Sequence, residues 1–299
     1  MSSMSRSGGL QFADLFQRAV EQLGSDRAPV RVGGLYGLEM LAQDHPRSRV
    51  AAVELICAYL RMPVAEAVVA GDDELQVRLA AQRILVAHLH PGDPGRFWPD
   101  TTLDLRGATL VELDLSGCRV DGLALFDRAE FFGATRLRGT VFGADAAFRS
   151  VNWYSHAWLE RAVFRRHGLF DGSVFHGDAW FGETTFANRA AFTGTVFAGH
   201  AWFGGAHLHG PALLTGAAFR RSAGFRGATF HAGANLDGCT FAGPARVSRM
   251  EDRWNLCPPG WAVAVDPDNW CVGDLVPAHR PALAEAADSE PADTTDPLA

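Results

Sequence analysis

Lysine is absent from this chain of 299 residues, and all 27 basic side chains are arginine. Chemistry that needs a lysine amine is excluded with it. A phosphate-binding loop ending in G-K-[ST], a Schiff-base enzyme and a Ser-Lys hydrolase each require that group. G-x-S-x-G, H-E-x-x-H and a dinucleotide fingerprint are missing too. Cysteine is scarce, at positions 57, 118, 239, 257 and 271, odd in number and without a C-x-x-C pair. Free structural thiols are therefore expected, although Cys257 and Cys271 could meet near the C-terminus. No apolar run is long enough to span a membrane, and the first nine residues are polar rather than leader-like, so a cytoplasmic protein is expected. Catalytic residues, metals and cofactors are not expected.

What the chain has in abundance is one period. From Phe126 through Phe131, Leu137, Phe142 and Phe148 to Phe241 and Val247, a large apolar residue returns at alternating steps of five and six. Two places before most of them sits a small residue, as at Ala129, Ala146, Ala157, Ala179, Ala190 and Ala223, with Thr, Ser, Gly, Val or Cys elsewhere. Small, outward, large is the two-residue alternation of a short strand, and its regular return describes a solenoid. Cys118 and Cys239 fall in the small inward slot. Upstream the step is a strict five, at Leu105, Leu110, Leu115 and Val120 in LDLRG ATLVE LDLSG CRVDG.

These residues resemble the pentapeptide-repeat proteins, whose unit reads A-(D/N)-L-X-X. The resemblance covers residues 101 to 250. It implies a right-handed quadrilateral parallel β-helix with four units to a coil and both the small and the large residue pointing inward. The extra residue in alternate units, as in FHGDAWF against FGETTF, departs from the family and gives a coil of twenty-two residues with two widened corners. About seven coils follow, a shaft roughly 33 Å long at about 4.8 Å per coil. Its end coils expose unpaired edges and need caps.

The fold class expected is α+β, this solenoid preceded by a small HEAT-like helical domain. Residues 1–10 are expected to be a disordered N-terminus and 11–91 the helical domain. There Phe12, Leu15, Phe16, Ala19, Val20 and Leu23 form one apolar face of a helix stopping near Gly24. Further helices are expected near 29–43, 47–61 and 73–89. A Val-Arg echo between APVRVGGLYGLEML and ELQVRLAAQRILVAHL suggests two hairpins of HEAT or armadillo type. The text AVEQLGSDRAPVRVGGLYGLEMLAQD also resembles the helical preface of a subset of bacterial pentapeptide-repeat proteins, where it often follows membrane spans. HPGDPGRFWPD supplies a linker at 92–100. A cap at 251–277 contains Trp254, Pro258, Pro259, Trp261 and Trp270, and 278–299 reads as a disordered acidic tail.

Charge is unevenly divided. Residues 1–100 carry 10 Arg against 12 acids, 101–250 carry 15 against 12, and 251–299 carry 2 against 10. The resemblance brings with it the family's best-known activity, imitation of duplex DNA by an acidic rod that occupies gyrase. A shaft near +3 presents the wrong field for that. It also lacks the concentrated basic face of a nucleic-acid binder, so no nucleic acid is expected as a partner.

On one outer side, steps of twenty-two residues align Arg136, Trp158, Trp180, Trp202, Gly224 and Arg246. Three stacked Trp make an aromatic strip with three readings: seals over the widened corners, a contact for a protein partner or a second copy of the chain, or a platform for a sugar or planar ligand. His207 and His209 flank inward Leu208 with His231 a coil above, but solvated His is the simpler reading than a metal site. DPDNW (266–270) resembles a calcium loop only in part, and a turn is the simpler reading. The function expected is a non-catalytic protein-interaction scaffold whose partner is unidentified. A DNA mimic acting on a topoisomerase and a ligand-binding protein using the Trp wall are the alternatives.

Overall fold

Short strands, most of two residues, form wherever the small and large residues flank an outward one, and they stack into four parallel walls. The arrangement is that of a computed structural model, which describes residues 2–64, 73–250, 253–254, 256, 260–266 and 269–278. Ala157 pairs with Ala179, Ala179 with Ala201, Ala201 with Ala223 and Ala223 with Ala245, so each coil consumes twenty-two residues. The first coil is one residue shorter on two walls, where Leu103 pairs with Ala124 and Leu110 with Phe131. That is the structural consequence of the strict-five stretch. The wall running from Leu103–Asp104 to Ala234–Asn235 has seven strands, hence seven coils.

The interior is an aromatic column. Phe126, Phe148, Phe170 and Phe192 stack along the axis with centroids 4.9 to 5.0 Å apart and planes within 6° of parallel. Across a coil the rings meet edge to face, as Phe170 meets Phe181 at 5.5 Å and 88°. Both geometries suit the ring quadrupole. Four hydroxyls in the small slot are satisfied: Thr140, Ser173, Thr184 and Thr195 donate to the carbonyls of Leu115, Phe148, Leu159 and Phe170. Buried hydroxyls left unpaired would destabilise the shaft. The Cys239 thiol takes the same place, donating to Leu214 O at 2.8 Å.

Four helices precede the shaft: α1 (Ser2–Leu23), α2 (Ala28–Asp44), α3 (Arg49–Arg61) and α4 (Asp73–Ala87). α1 starts at Ser2. Extending an existing helix forms one hydrogen bond per residue ordered, far easier than nucleating a new one. The apolar face expected on α1 is only partly covered. Ala19 is buried while Leu15 and Val20 are exposed. α1 crosses α2 closely at Gly34, where a Cβ would lie 2.7 Å from Ala19 O. The Val-Arg echo places Arg31 and Arg78 on one carboxylate: both pair with Glu74, at 2.8 and 3.1 Å.

The linker is folded down rather than loose. Trp98 is buried, stacks on His88 at 3.6 Å and donates its Nε1–H to Gln43 Oε1 at 3.0 Å. Beyond it the helices close the open edge of the first coil. Gln82 acts as a substitute strand, donating Nε2–H to Val111 O at 2.8 Å and accepting Val111 N–H at 3.0 Å. Leu89 O accepts from Arg119 N at 2.7 Å, and Arg61 donates to Asp104 O at 2.6 Å. At the other end the chain continues the Trp wall. Ala245–Met250 pairs antiparallel with Asn269–Pro277, and Trp261–Asp266 adds the outermost strand of a nine-stranded sheet. Leu256 and Leu275 are buried, and Trp261 meets Phe241 edge-on at 5.4 Å. Cys257, Pro258, Pro259, the side chains of Trp254, Trp270 and Cys271, most of DPDNW and the tail from 279 lie outside the described residues.

Candidate functional site

The outward column forms as its spacing implies. Arg136, Trp158, Trp180, Trp202, Gly224 and Arg246 are hydrogen-bonded neighbours in one sheet. They do not form one flat strip. Trp158 and Trp180 stack at 5.3 Å with planes 4° apart, and the guanidinium groups of Arg136 and Arg138 sit 5.3 and 5.7 Å from the Trp158 ring centre. Trp202 leaves the stack. Its ring lies over Gly224, where a Cβ would come 2.5 Å from Cε3, and it stacks with His200 at 5.7 Å. Trp158 and Trp180 are half-buried, while Trp202 is 38% exposed.

Arg246 is not the free group that its outward position suggested. It pairs with Asp266 at 3.1 Å and Asp274 at 3.3 Å, tying the C-terminal hairpin to the wall. Sequence spacing alone could not anticipate this, because both carboxylates come from strands outside the repeat. Among the described residues no carboxylate stands within ion-pairing distance of Arg136, which offers its charge to the indole face.

Beside the upper half of the Trp column runs a groove of 420 Å³, lined by Trp180, Trp202, Arg226, Arg246 and Asp266 over a floor of Gly182, Gly204 and Gly224. The outward column by itself does not single it out, although a signal is there: the position two after each outward residue reads Arg138, Glu160, Gly182, Gly204, Arg226, Ser248. A larger cleft of 880 Å³ lies where α3 meets the first coil, and Arg61 bridges it to Asp104 at 2.8 Å. A second aromatic ladder was also missed. Phe132, Tyr154 and His176 stack on another wall at 4.5 and 5.3 Å, one residue after the inward large position.

The histidines do not converge. His209 and His231 lie face to face at 4.6 Å, and His207 Nδ1 is 2.9 Å from Thr229 Oγ1. Among the described residues no group of three or more His, Cys, Asp or Glu could hold a metal ion. The thiols are poor nucleophiles: burial pushes Cys57 and Cys118 up to about 12 and Cys239 up to about 11.

Residues 170–212 and 203–251 match the family model for pentapeptide repeats (9 copies). The shaft is a pentapeptide-repeat solenoid. Trp180 and Trp202 with their glycine floor fall inside the matched segments. Pentapeptide-repeat proteins are typically non-catalytic scaffolds. No curated protein and no solved structure matches the chain. Among the described residues no helix is long and apolar enough to cross a membrane.

Proposed function

We propose that this pentapeptide-repeat protein is an interaction scaffold that grips a protein partner, or a second copy of itself, through the wall of Trp158, Trp180 and Trp202. The supporting observation is that these indoles serve no core position. The inward slots beside them are filled by Ala157, Leu159, Ala179, Phe181, Ala201 and Phe203, all buried, and other coils place Arg136, Gly224 or Arg246 at the outward site. Covering a few hundred Å² of such a strip at roughly 25 cal/mol per Å² supplies enough to anchor a modest interface after the cost of association. A cytoplasmic setting fits three buried free thiols.

The carboxylates of the shaft argue against DNA mimicry. Glu160, Glu183, Asp121 and Asp127 each pair with an arginine, so they do not present a bare acidic track. Purified protein should leave gyrase supercoiling uninhibited at physiological salt. The scaffold reading is tested by sedimentation and by quantitative partner capture from host cells with wild type and Trp180→Ala. Loss of association with the β circular dichroism intact supports it. Unfolding by Trp180→Ala, or unchanged association, removes the wall from the function.

A further inference from the structure

The glycines of the floor divide into two kinds. Gly224 is required, because the Trp202 ring occupies the place of its side chain. Gly182 and Gly204 are not: a Cβ on either would meet nothing nearer than 3.6 Å, and neither has the left-handed backbone that favours glycine. The same column holds Arg138 and Glu160 below and Arg226 above. Neither packing nor conformation explains why side chains vanish only at the level of Trp180 and Trp202. The effect is a shelf beside exposed indole surface, deep enough for one inserted side chain.

The charges around it are as selective. Among the described side chains of this wall, Glu160, Glu183, Asp266 and Asp274 face arginine partners, Asp178 lies 4.0 Å from His156 and accepts the His200 N–H, and Asp114, bridged to Arg136 from the coil below, accepts the Ser116 N–H. Arg138, Arg161 and Arg246 are consumed in these pairs. Among the described residues no carboxylate stands within 4 Å of two exposed guanidinium groups that flank the indoles, Arg136 at the lower end, with Asp114 its neighbour on the coil below, and Arg226 at the upper end. They are separated by four coils, about 19 Å along the axis. An extended segment covers that distance in about six residues.

Resting on the scaffold reading, we propose that the partner is an extended acidic protein segment lying along the shaft axis. It places one carboxylate on Arg136 and another on Arg226, with an aromatic or large aliphatic residue between them seated on the Gly182–Gly204 shelf against Trp180 and Trp202. Two isolated cations with indoles between them suit sparse charge. A nucleic-acid backbone, with a charge every few ångströms, calls for a continuous basic track instead.

The test uses the full chain and a blocked heptapeptide, ESGFSGE, whose glutamates are six residues apart around a central Phe, titrated by NMR of the Trp indole N–H signals. Saturable binding is expected, weakened about tenfold by Arg226→Glu and by Gly204→Leu, neither of which touches the core. It should be absent for the peptide with Lys in place of Glu, and weaker for Ala in place of Phe. Binding that ignores Arg226→Glu and Gly204→Leu, equal binding of the lysine peptide, or displacement by oligothymidylate at lower concentration than by peptide would each overturn it. If the peptide fails while Trp180→Ala still abolishes partner capture, this inference falls and the scaffold reading stands.

Discussion

Phe192 in the shaft stacks on Phe170 at 5.0 Å and meets Phe181 edge-on at 5.4 Å; Phe170 stacks in turn on Phe148 at 5.0 Å, and Leu214 and Leu159 fill the equivalent inward positions one coil up and one coil down. Arg78 in the helical domain makes contacts that occur once. Its Nε–H reaches Glu74 at 3.1 Å, and its Nη groups donate to Leu60 O at 2.9 Å and Met62 O at 2.6 Å. Tyr59 and Arg31 complete the set by donating to the same carboxylate. Burial pushes the Tyr59 hydroxyl up to about 12, with the Glu74 acceptor adding to it, so the phenol stays a donor. The shaft is built by repetition and tolerates local variety in its outer residues. The helical domain joins its apolar core to this satisfied polar network, which ties α2, α3 and α4 together and hence sets how Gln82 is presented to the first coil.

Breaking the repetition should have the largest effect. Phe192→Asp buries a charge among rings with no partner, and more than about 4 kcal/mol should be lost. Loss of cooperative thermal unfolding is the expected readout, with the outward neighbour Arg189→Ala within about 0.5 kcal/mol of wild type. An unchanged melting temperature for Phe192→Asp would mean that the inward register is wrong.

Breaking the network comes next. Arg78→Ala leaves Glu74 with less compensation and two helix-end carbonyls without their donor, a loss of about 3 to 5 kcal/mol. The comparison predicts that helical circular dichroism melts first while the β signal persists, because the aromatic column does not pass through α4. If both signals fall together, Gln82 and Arg61 couple the two regions more tightly than their small number suggests.

The three thiols sharpen the same contrast, since Cys57 lies in α3, Cys118 where the helices meet the first coil, and Cys239 in the last coil. All three have their folded values raised by burial. A raised value means that the folded state holds its proton longer. Stability is therefore full below about pH 8.5, where the unfolded thiol titrates, and is lost as pH rises towards 11 to 12. In a Cys257→Ser/Cys271→Ser background at pH 8, alkylation should be on the order of a hundredfold slower than in urea. Mass spectrometry of the first labelled thiol reports which region opens first, and Cys57 is expected ahead of the other two. Equal rates at all three sites would make the molecule one cooperative unit.

The shaft was legible because its burial is dictated by neighbours one coil away at a fixed sequence distance. Every strand pairing from Ala124 to Ala245 follows from counting twenty-two. What counting could not supply came from contacts without a period. The burial of Trp98 under His88, the use of Gln82 as an edge strand and the capture of Arg246 by the hairpin all join segments whose relative placement the repeat does not encode. The Trp column was legible as a position but not as a shape. Whether Trp202 stacks on Trp180 or leans over the next coil depends on residue 224 being glycine, a detail visible only once the ring's direction is known.

The smallest expected effect contrasts two glycines of the shaft itself. At Gly199 a Cβ would run into the backbone of Gly177 and stand 2.7 Å from Asp178 N, so successive coils approach there without room for a methyl group. Gly199→Ala must push the coils apart, costing about 1 to 3 kcal/mol. At Gly204 the nearest atom is Arg226 O at 3.6 Å and the backbone is ordinary, so alanine fits the folded shape and removes freedom only from the unfolded chain. Gly204→Ala should leave the melting temperature unchanged or raise it, a gain of about 0.4 to 1 kcal/mol. If instead Gly204→Ala destabilised the shaft as much as Gly199→Ala, the shelf would be a packing requirement like the tight corners. The case for an inserted partner side chain would then lose its starting point. If Gly204→Ala is neutral for folding while Gly204→Leu still folds, the bare floor beside Trp180 and Trp202 is a surface kept clear at no benefit to the fold, which is what a site for another molecule requires.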